Sequence, residues 1–440
     1  MKRVLFITHS FPPLATAGVQ RAVSFVRHLP SFGWEPTVLT VGSDPAYGID
    51  RSTCARVPPS VTVVRTGMLS PVLLFKALWG LRLHRVAALI GKAVLFPDDK
   101  IGWFPFAVRA ALRICREKRI DVVYTTSPPE TAQLIGLYLK RRLRLPWVVD
   151  YRNEWFTNPY APVRGGGLRA AAHARLERQV ARTADGVITL SPAHTRMMVE
   201  EDPANASKYA TIENGFDADE FADAAAAALD PRPTARSDGP RTLPDSDVLK
   251  VVYVGVFHST MDGSTFFEVC DRLLTRGAID RKRFRFCMAG YPWRVGKYRR
   301  GRESWFEYLG YLERHDALRL MHTADLLLLL IRHDAPRTLP GKLYEYIATG
   351  KPILALVPPE GLAADIVRRT RTGFVVPPDR PEEVENLLGC LYRKWAEGGL
   401  KVEPSREEVA RYERSIQVPR LAEILAAAEA DGRARRATGR

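Results

Sequence analysis

Short runs of continuous apolar residues alternate along this chain with longer stretches whose apolar positions recur every three to four residues. The runs read as strands buried on both faces of a parallel sheet, the longer stretches as helices that cover it. In the first half, strands are predicted at 3–8, 36–41, 61–65, 121–126, 147–150, 186–190 and 210–213, with helices between them such as 18–32, 106–117, 131–143 and 167–183. A second alternation begins at Leu249, with strands at 251–254, 284–288, 326–331, 353–356 and 373–376. Its helices are predicted at 266–276, 316–323, 342–349, 363–369 and 381–397.

Residues 222–247 separate the two series. They hold an alanine run, then Pro231, Pro233, Pro240 and Pro244 among Asp, Ser and Gly, which is linker composition. The expected fold is α/β: two doubly wound, Rossmann-like domains facing each other across a cleft. The first is expected at 1–221 and the second at 248–404. Residues 405–440 are expected to form a helix that packs back on the first domain, ending in a basic tail with Arg433, Arg435, Arg436 and Arg440. Ligands of doubly wound sheets lie outside the carboxyl ends of the strands, so the active site is expected in the cleft.

Composition narrows the class. At 440 residues the chain is too long for one core, and 46% hydrophobic with 26% charged residues is globular rather than disordered. Cys54, Cys115, Cys270, Cys287 and Cys390 show no C-x-x-C spacing, so neither a zinc site nor a disulfide framework is expected. The opening MKRVLFITHS has too short an apolar run for a secretory leader and reads as a first strand. With no span of about 18–20 apolar residues, a cytoplasmic protein is expected. The net charge of +16 points to an anionic partner. Residues 69–96 mix Leu73, Phe75, Trp79, Leu81 and Leu83 with Lys76, Arg82, Arg85 and Lys92. That mixture suits a helix lying on the inner face of a membrane, and equally one packed on its own domain.

The densest chemistry is in LPGKLYEYIATGKP, residues 339–352, directly after the apolar run 326–331. A helix opening at Leu339, Pro340, Gly341, Lys342 and Leu343 presents free N–H groups and the positive dipole end, and Lys342 adds a full charge. Glu345, one turn on, suits a ribose hydroxyl. An ordinary βα unit with a surface lysine carries the same letters. Asp217-Ala218-Asp219 and Asp245-Ser246-Asp247 have D-x-D spacing, but neither ends a buried strand, so they read as turn acids and no catalytic metal is expected.

Other motifs join the cradle in a recognisable order. Phe11-Pro12-Pro13 precedes Gly18 and Arg21. Ser127-Pro128-Pro129 precedes Val149-Asp150-Tyr151-Arg152-Asn153-Glu154-Trp155, and Glu213-Asn214-Gly215-Phe216-Asp217 closes the first half. With Pro340, Lys342, Glu345 and Tyr346, this series resembles the GT-B glycosyltransferases, specifically the large retaining group called family 4, over roughly residues 1–425. The resemblance implies transfer of a sugar from a nucleoside-diphosphate sugar, without cofactor or metal, to a lipid-linked or cell-surface polysaccharide precursor. It implies donor contacts at Gly18, Arg21, Gly255, Arg337, Leu339, Gly341, Lys342, Leu343 and Glu345, and acceptor chemistry at Asp150, Arg152 and Glu154. It implies that leaving-group charge is met by Lys342, helix N-termini and Arg21 or Arg337. Asn153 and Arg337 stand where the family carries acids, and Ala17 replaces one glycine of its Gly pair. Those departures keep two alternatives open: a sugar-nucleotide epimerase, for which His9 and His258 are the placed histidines, and a non-catalytic partner in a membrane glycan-assembly complex. No nucleic acid is implied.

Overall fold

The structure, a computed structural model, describes residues 1–83, 91, 95–155, 167–229 and 247–437. It divides into two compact units. One comprises residues 1–214 and 414–440, the other residues 215–413.

Unit 1 is built on strands β1 (Lys2–Ile7), β2 (Trp34–Val41), β3 (Thr62–Thr66), β4 (Val122–Ser127), β5 (Trp147–Tyr151), β6 (Gly186–Thr189) and β7 (Tyr209–Thr211). They form one parallel sheet in the order β3-β2-β1-β4-β5-β6-β7. Its helices include α1 (Val19–His28), α2 (Val72–Gly80), α3 (Phe104–Glu117), α4 (Thr131–Leu143), α5 (Leu168–Thr183) and α6 (Pro192–Glu201). On one face, Trp103, Ala107, Ala111, Ile135 and Leu139 pack on Leu5, Ile7, Val123 and Val149. On the other, Val19, Val23 and Val26 of α1 cover Val4, Phe6, Val38 and Tyr124.

Unit 2 opens with α7 (Ala218–Leu229) and carries β8 (Leu249–Val254), α8 (Ser264–Thr275), β9 (Phe284–Ala289), α9 (Val295–Arg299), β10 (Phe306–Tyr308), α10 (Arg314–His322), β11 (Leu326–Leu330) and α11 (Gly341–Thr349). It closes with β12 (Ile353–Leu356), α12 (Leu362–Thr370), β13 (Gly373–Val376), α13 (Pro381–Ala396) and α14 (Arg406–Ala410). The sheet is again parallel, ordered β10-β9-β8-β11-β12-β13. All five leucines of β11 are buried. At roughly 1.5–3 kcal/mol for each side chain withdrawn from water, such a run stays in the middle of a sheet.

The chain then returns to unit 1 as α15 (Arg414–Ala437), whose Val418, Leu421, Leu425 and Ala428 join the core face around α1. Three sequence expectations change here. The alanine run, expected to begin a linker at 222, forms the second half of α7, because alanine is the strongest helix former and Asp219 and Glu220 favour its first turn. The single helix expected within 405–440 is two, one in each unit. The short strand β10 and helices α6 and α9 carried no predicted element. The rest of the linker expectation (230–246), most of the candidate membrane helix beyond 83, and Arg440 lie outside the described residues.

Candidate active site

In unit 2 the strand order reverses between β8 and β11, which pair at Leu326 with Val251 and Leu327 with Val252. The segments leaving the carboxyl ends of these two strands therefore lie side by side, the position where doubly wound sheets hold ligands. From β8 comes Gly255, at φ +140°, a backbone conformation that disfavours a side chain. From β11 comes the loop that ends in α11.

Lys342, in the first turn of α11, reaches back across this switch point. Its ammonium lies 3.8 Å from the centroid of the Tyr253 ring. A Cβ added to Gly255 would overlap Lys342 Nζ and come within 2.9 Å of Cε, so the glycine makes room for the cation. The Nζ atom is shut off from solvent and has no hydrogen-bond partner among the described residues. Burial pushes its pKa down to about 7, against the opposing pull of Glu345. The same positive field is felt next door: burial, then Lys342 and Arg294, push His258 down to about 4. A buried ammonium with its donors unspent is costly unless something anionic meets it.

The rest of the cradle divides by role. Leu339 and Leu343 are buried and anchor the helix, and the Tyr346 hydroxyl accepts the Val254 N–H at 3.0 Å, tying α11 to β8. Gly341 is exposed, and a Cβ there would meet nothing, so open space lies over the helix N-terminus. Arg337 is exposed on the preceding loop. Glu345, expected to receive a ribose, pairs with Arg314, which also binds both carboxylate oxygens of Glu220 at 2.9 and 3.0 Å. Sequence reasoning missed Arg314, 31 residues away on α10. It also missed Tyr291 and Tyr311, which follow the carboxyl ends of β9 and β10. The two residues are 36% and 41% exposed, with ring centroids 5.0 Å apart and planes inclined by 34°, so each presents an aromatic face of the kind on which a base stacks. Each tyrosine follows a glycine just past a strand, and that pairing was the available signal.

Unit 1 reassigns two expected site residues. Arg21 is 2% exposed, and its guanidinium grips Asp150 through Nε at 2.9 Å and Nη2 at 2.7 Å. It also donates to the carbonyls of Ile212 (2.9 Å) and Glu213 (2.8 Å). Asp150 further accepts from the hydroxyls of Tyr124 (2.7 Å) and Thr126 (2.8 Å). Burial alone would raise the Asp150 pKa, but Arg21 and these hydroxyls hold it below the usual carboxylate value. In this arrangement the Arg21 and Asp150 side chains are spent on each other and on their neighbours. Together they join β4, β5, α1 and the end of β7 in a buried ion-pair network.

Arg152 occupies the place expected for a ligand. Its guanidinium lies across the turn that opens α1, where a Cβ on Gly18 would overlap it, and it donates to the Pro128 carbonyl. Its Nε is buried without a hydrogen-bond partner among the described residues. Glu154 is 8% exposed, two residues farther along the same segment. Nearby, Lys100 is buried between Asp44 and Asp99, at 2.9 Å from each. Asp217 precedes α7 and Asp219 sits in its first turn, where acids complement the helix dipole. Asp245 and Ser246 lie outside the described residues.

Two families match the sequence. Residues 16–215 match the Glycosyl transferase 4-like domain, and residues 249–394 match Glycosyl transferases group 1. No curated protein matches the chain. Among solved structures, the chain resembles a glycosyltransferase from Rickettsia africae ESF-5 at 14% identity and TM-score 0.59, covering 97% of this chain and 98% of that one. It also resembles Anabaena HepE in complex with UDP-glucose, at 15% identity and TM-score 0.63, over 97% and 100%. A third is an α,α-trehalose-phosphate synthase (UDP-forming) from Burkholderia xenovorans in complex with glucose-6-phosphate, at 12% identity and TM-score 0.63, over 97% and 100%. At these identities the structures speak for the shared two-sheet fold, while the two sequence matches, one in each half, speak for the chemistry. The chain is a glycosyltransferase of the GT-B fold.

Proposed function

We propose that this enzyme takes its sugar from a nucleoside-diphosphate sugar bound at the β8–β11 switch point of unit 2. The observation that carries the proposal is Lys342: a buried ammonium in the first turn of α11, with no hydrogen-bond partner among the described residues. Breaking the bond between sugar and nucleotide builds negative charge on the diphosphate, and a fixed cation with oriented N–H groups meets that charge without reorganising. Tyr291 and Tyr311 offer the base a stacking surface. Donor transfer without metal and with retention, the departing phosphate taking the acceptor proton, asks for no dedicated carboxylate base. That agrees with Asp150 being committed to Arg21, and leaves Arg152 and Glu154 as acceptor-side groups.

A thermal-shift series with UDP, GDP and ADP tests the donor class. Stabilisation by one of them, followed by transfer of radiolabelled sugar into an extracted lipid or polysaccharide fraction, supports the proposal. Unchanged melting with all three would sink it.

The acceptor we infer is a lipid-linked or polysaccharide precursor met at the cytoplasmic membrane face. The net charge of +16 supports this, as do Leu69, Trp79, Leu81 and Leu83, which are 68%, 63%, 70% and 43% exposed around Arg82. Among the described residues no helix is long and apolar enough to cross a membrane, so contact would be at the surface. Retention on vesicles containing phosphatidylglycerol is expected to fall on the order of 10-fold or more in the double substitution Trp79→Ala, Leu81→Ala. Equal sedimentation of parent and variant would remove this segment from the acceptor side.

A further inference from the structure

A buried lysine that awaits an anion must be held in place before the anion arrives, and the usual partner, a carboxylate, would consume the very donors the ligand needs. Among the described residues the carboxylate that favours the Lys342 ammonium is Glu345, and it is drawn off by Arg314. What Lys342 Nζ touches instead is the face of an aromatic ring at 3.8 Å. The face of an aromatic ring is the negative end of its quadrupole, so it attracts a cation without accepting its N–H groups as a carboxylate would.

The ring itself is clamped. Tyr253 is fully buried at the end of β8, and its hydroxyl donates to the Val256 carbonyl at 2.9 Å, pinning the turn through Gly255. Behind it, Phe257 stacks at 4.9 Å with the planes only 6° apart. Phe257 is in turn held edge-on by Tyr298 at 4.7 Å and Phe267 at 5.9 Å. Such a stack cannot rotate away when the cation charges or discharges, because each ring fills its neighbour's space.

From this we infer that Tyr253 is a positioning residue for donor binding: its ring holds the Lys342 ammonium over the β8–β11 switch point with all three N–H donors free for a diphosphate. The inference rests on the reading of Lys342 as the diphosphate's partner. It assigns a role, exercised through Lys342, to a fully buried residue that a sequence reader would take for core.

The test separates ring electrostatics from ring shape. Tyr253 is replaced by Phe, and then by phenylalanines bearing increasing numbers of ring fluorines, which preserve the shape while draining the negative face. UDP and GDP affinities are measured by calorimetry on the full chain. Tyr253→Phe is expected to keep most of the affinity. The fully fluorinated ring is expected to weaken nucleotide binding roughly 10- to 30-fold, with intermediate steps between. Tyr253→Leu is expected to lose as much. The pH at which affinity is half lost is expected to move down in the fluorinated and Leu variants, since a poorer ring favours the ammonium less. A structural role alone would leave that midpoint unmoved. Flat affinity across the fluorinated series overturns the inference even if the Leu variant fails to fold. Lys342→Met serves as the reference. If it binds nucleotide as tightly as the parent, the cradle reading itself fails. If it loses binding while the ring series stays flat, only the role of Tyr253 is lost.

Discussion

Replacing Lys342 by Met is expected to lower kcat/KM for the nucleotide sugar on the order of 100- to 1000-fold, with unfolding stability unchanged or raised. Met is the same unbranched chain one atom shorter, so it fills most of the space while removing the charge. The loss is large because the ammonium acts in a site closed to water, where one oriented donor facing developing charge is worth roughly 2.7–4 kcal/mol. Stability does not suffer, since a buried cation with no hydrogen-bond partner is a cost to the folded protein. The pH dependence follows with a definite sign. Burial pushes Lys342 down to about 7, so the ammonium is present below that pH and lost above it. Nucleotide affinity is therefore expected to fall as pH rises through 7, and binding above pH 7 to take up a proton, because the bound diphosphate restores the charged form. Comparing parent with Lys342→Met at each pH cancels the titration of the nucleotide itself. A difference between the two proteins that stays constant from pH 6 to 9 would show that Lys342 does not carry the linkage.

The second large effect is on folding. Asp150→Ala is expected to destabilise unit 1 by roughly 3–5 kcal/mol, because it leaves the Arg21 guanidinium, 2% exposed, without its counter-charge. Two hydroxyls, on Tyr124 and Thr126, lose their acceptor at the same time. Urea unfolding followed through the buried indoles of Trp103 and Trp147 reports this unit. The folded state holds Asp150 below its unfolded value of 3.8. Its stabilisation is thus fully present above pH 3.8 and disappears as pH falls through the folded value, so the acid limb of unfolding is expected to be shallower in Asp150→Asn. If Asp150→Ala instead unfolded at the parent's urea concentration while losing all activity, the carboxylate would be catalytic after all and its network incidental.

That reassignment shows where sequence reading stops. Asp150 and Arg21 carry motif positions, yet they are 129 residues apart, and nothing in either segment says that they face each other. Only the order β1-β4-β5 brings α1 over the end of β5, close enough for a guanidinium to enclose the carboxylate. Glu345 and Arg314 repeat the lesson in unit 2, where α10 and α11 meet across 31 residues of chain. The alanine run at 222–229 misled for a different reason: alanine neither breaks a helix nor shows which side of it is buried, so apolar periodicity is silent there.

What the chain determined by itself was the alternation of continuous apolar runs with amphipathic stretches. That pattern is local: a strand buried on both faces must be apolar throughout, whichever strands flank it. It yielded two parallel sheets, most of their strands within a residue or two, and the lysine at the start of α11. Which charges meet was decided only in three dimensions. An ion pair, a cation held over a ring, or a guanidinium lying on a glycine depends on distances of a few ångströms between segments far apart in the sequence, and pairwise attraction at that range leaves no period to read.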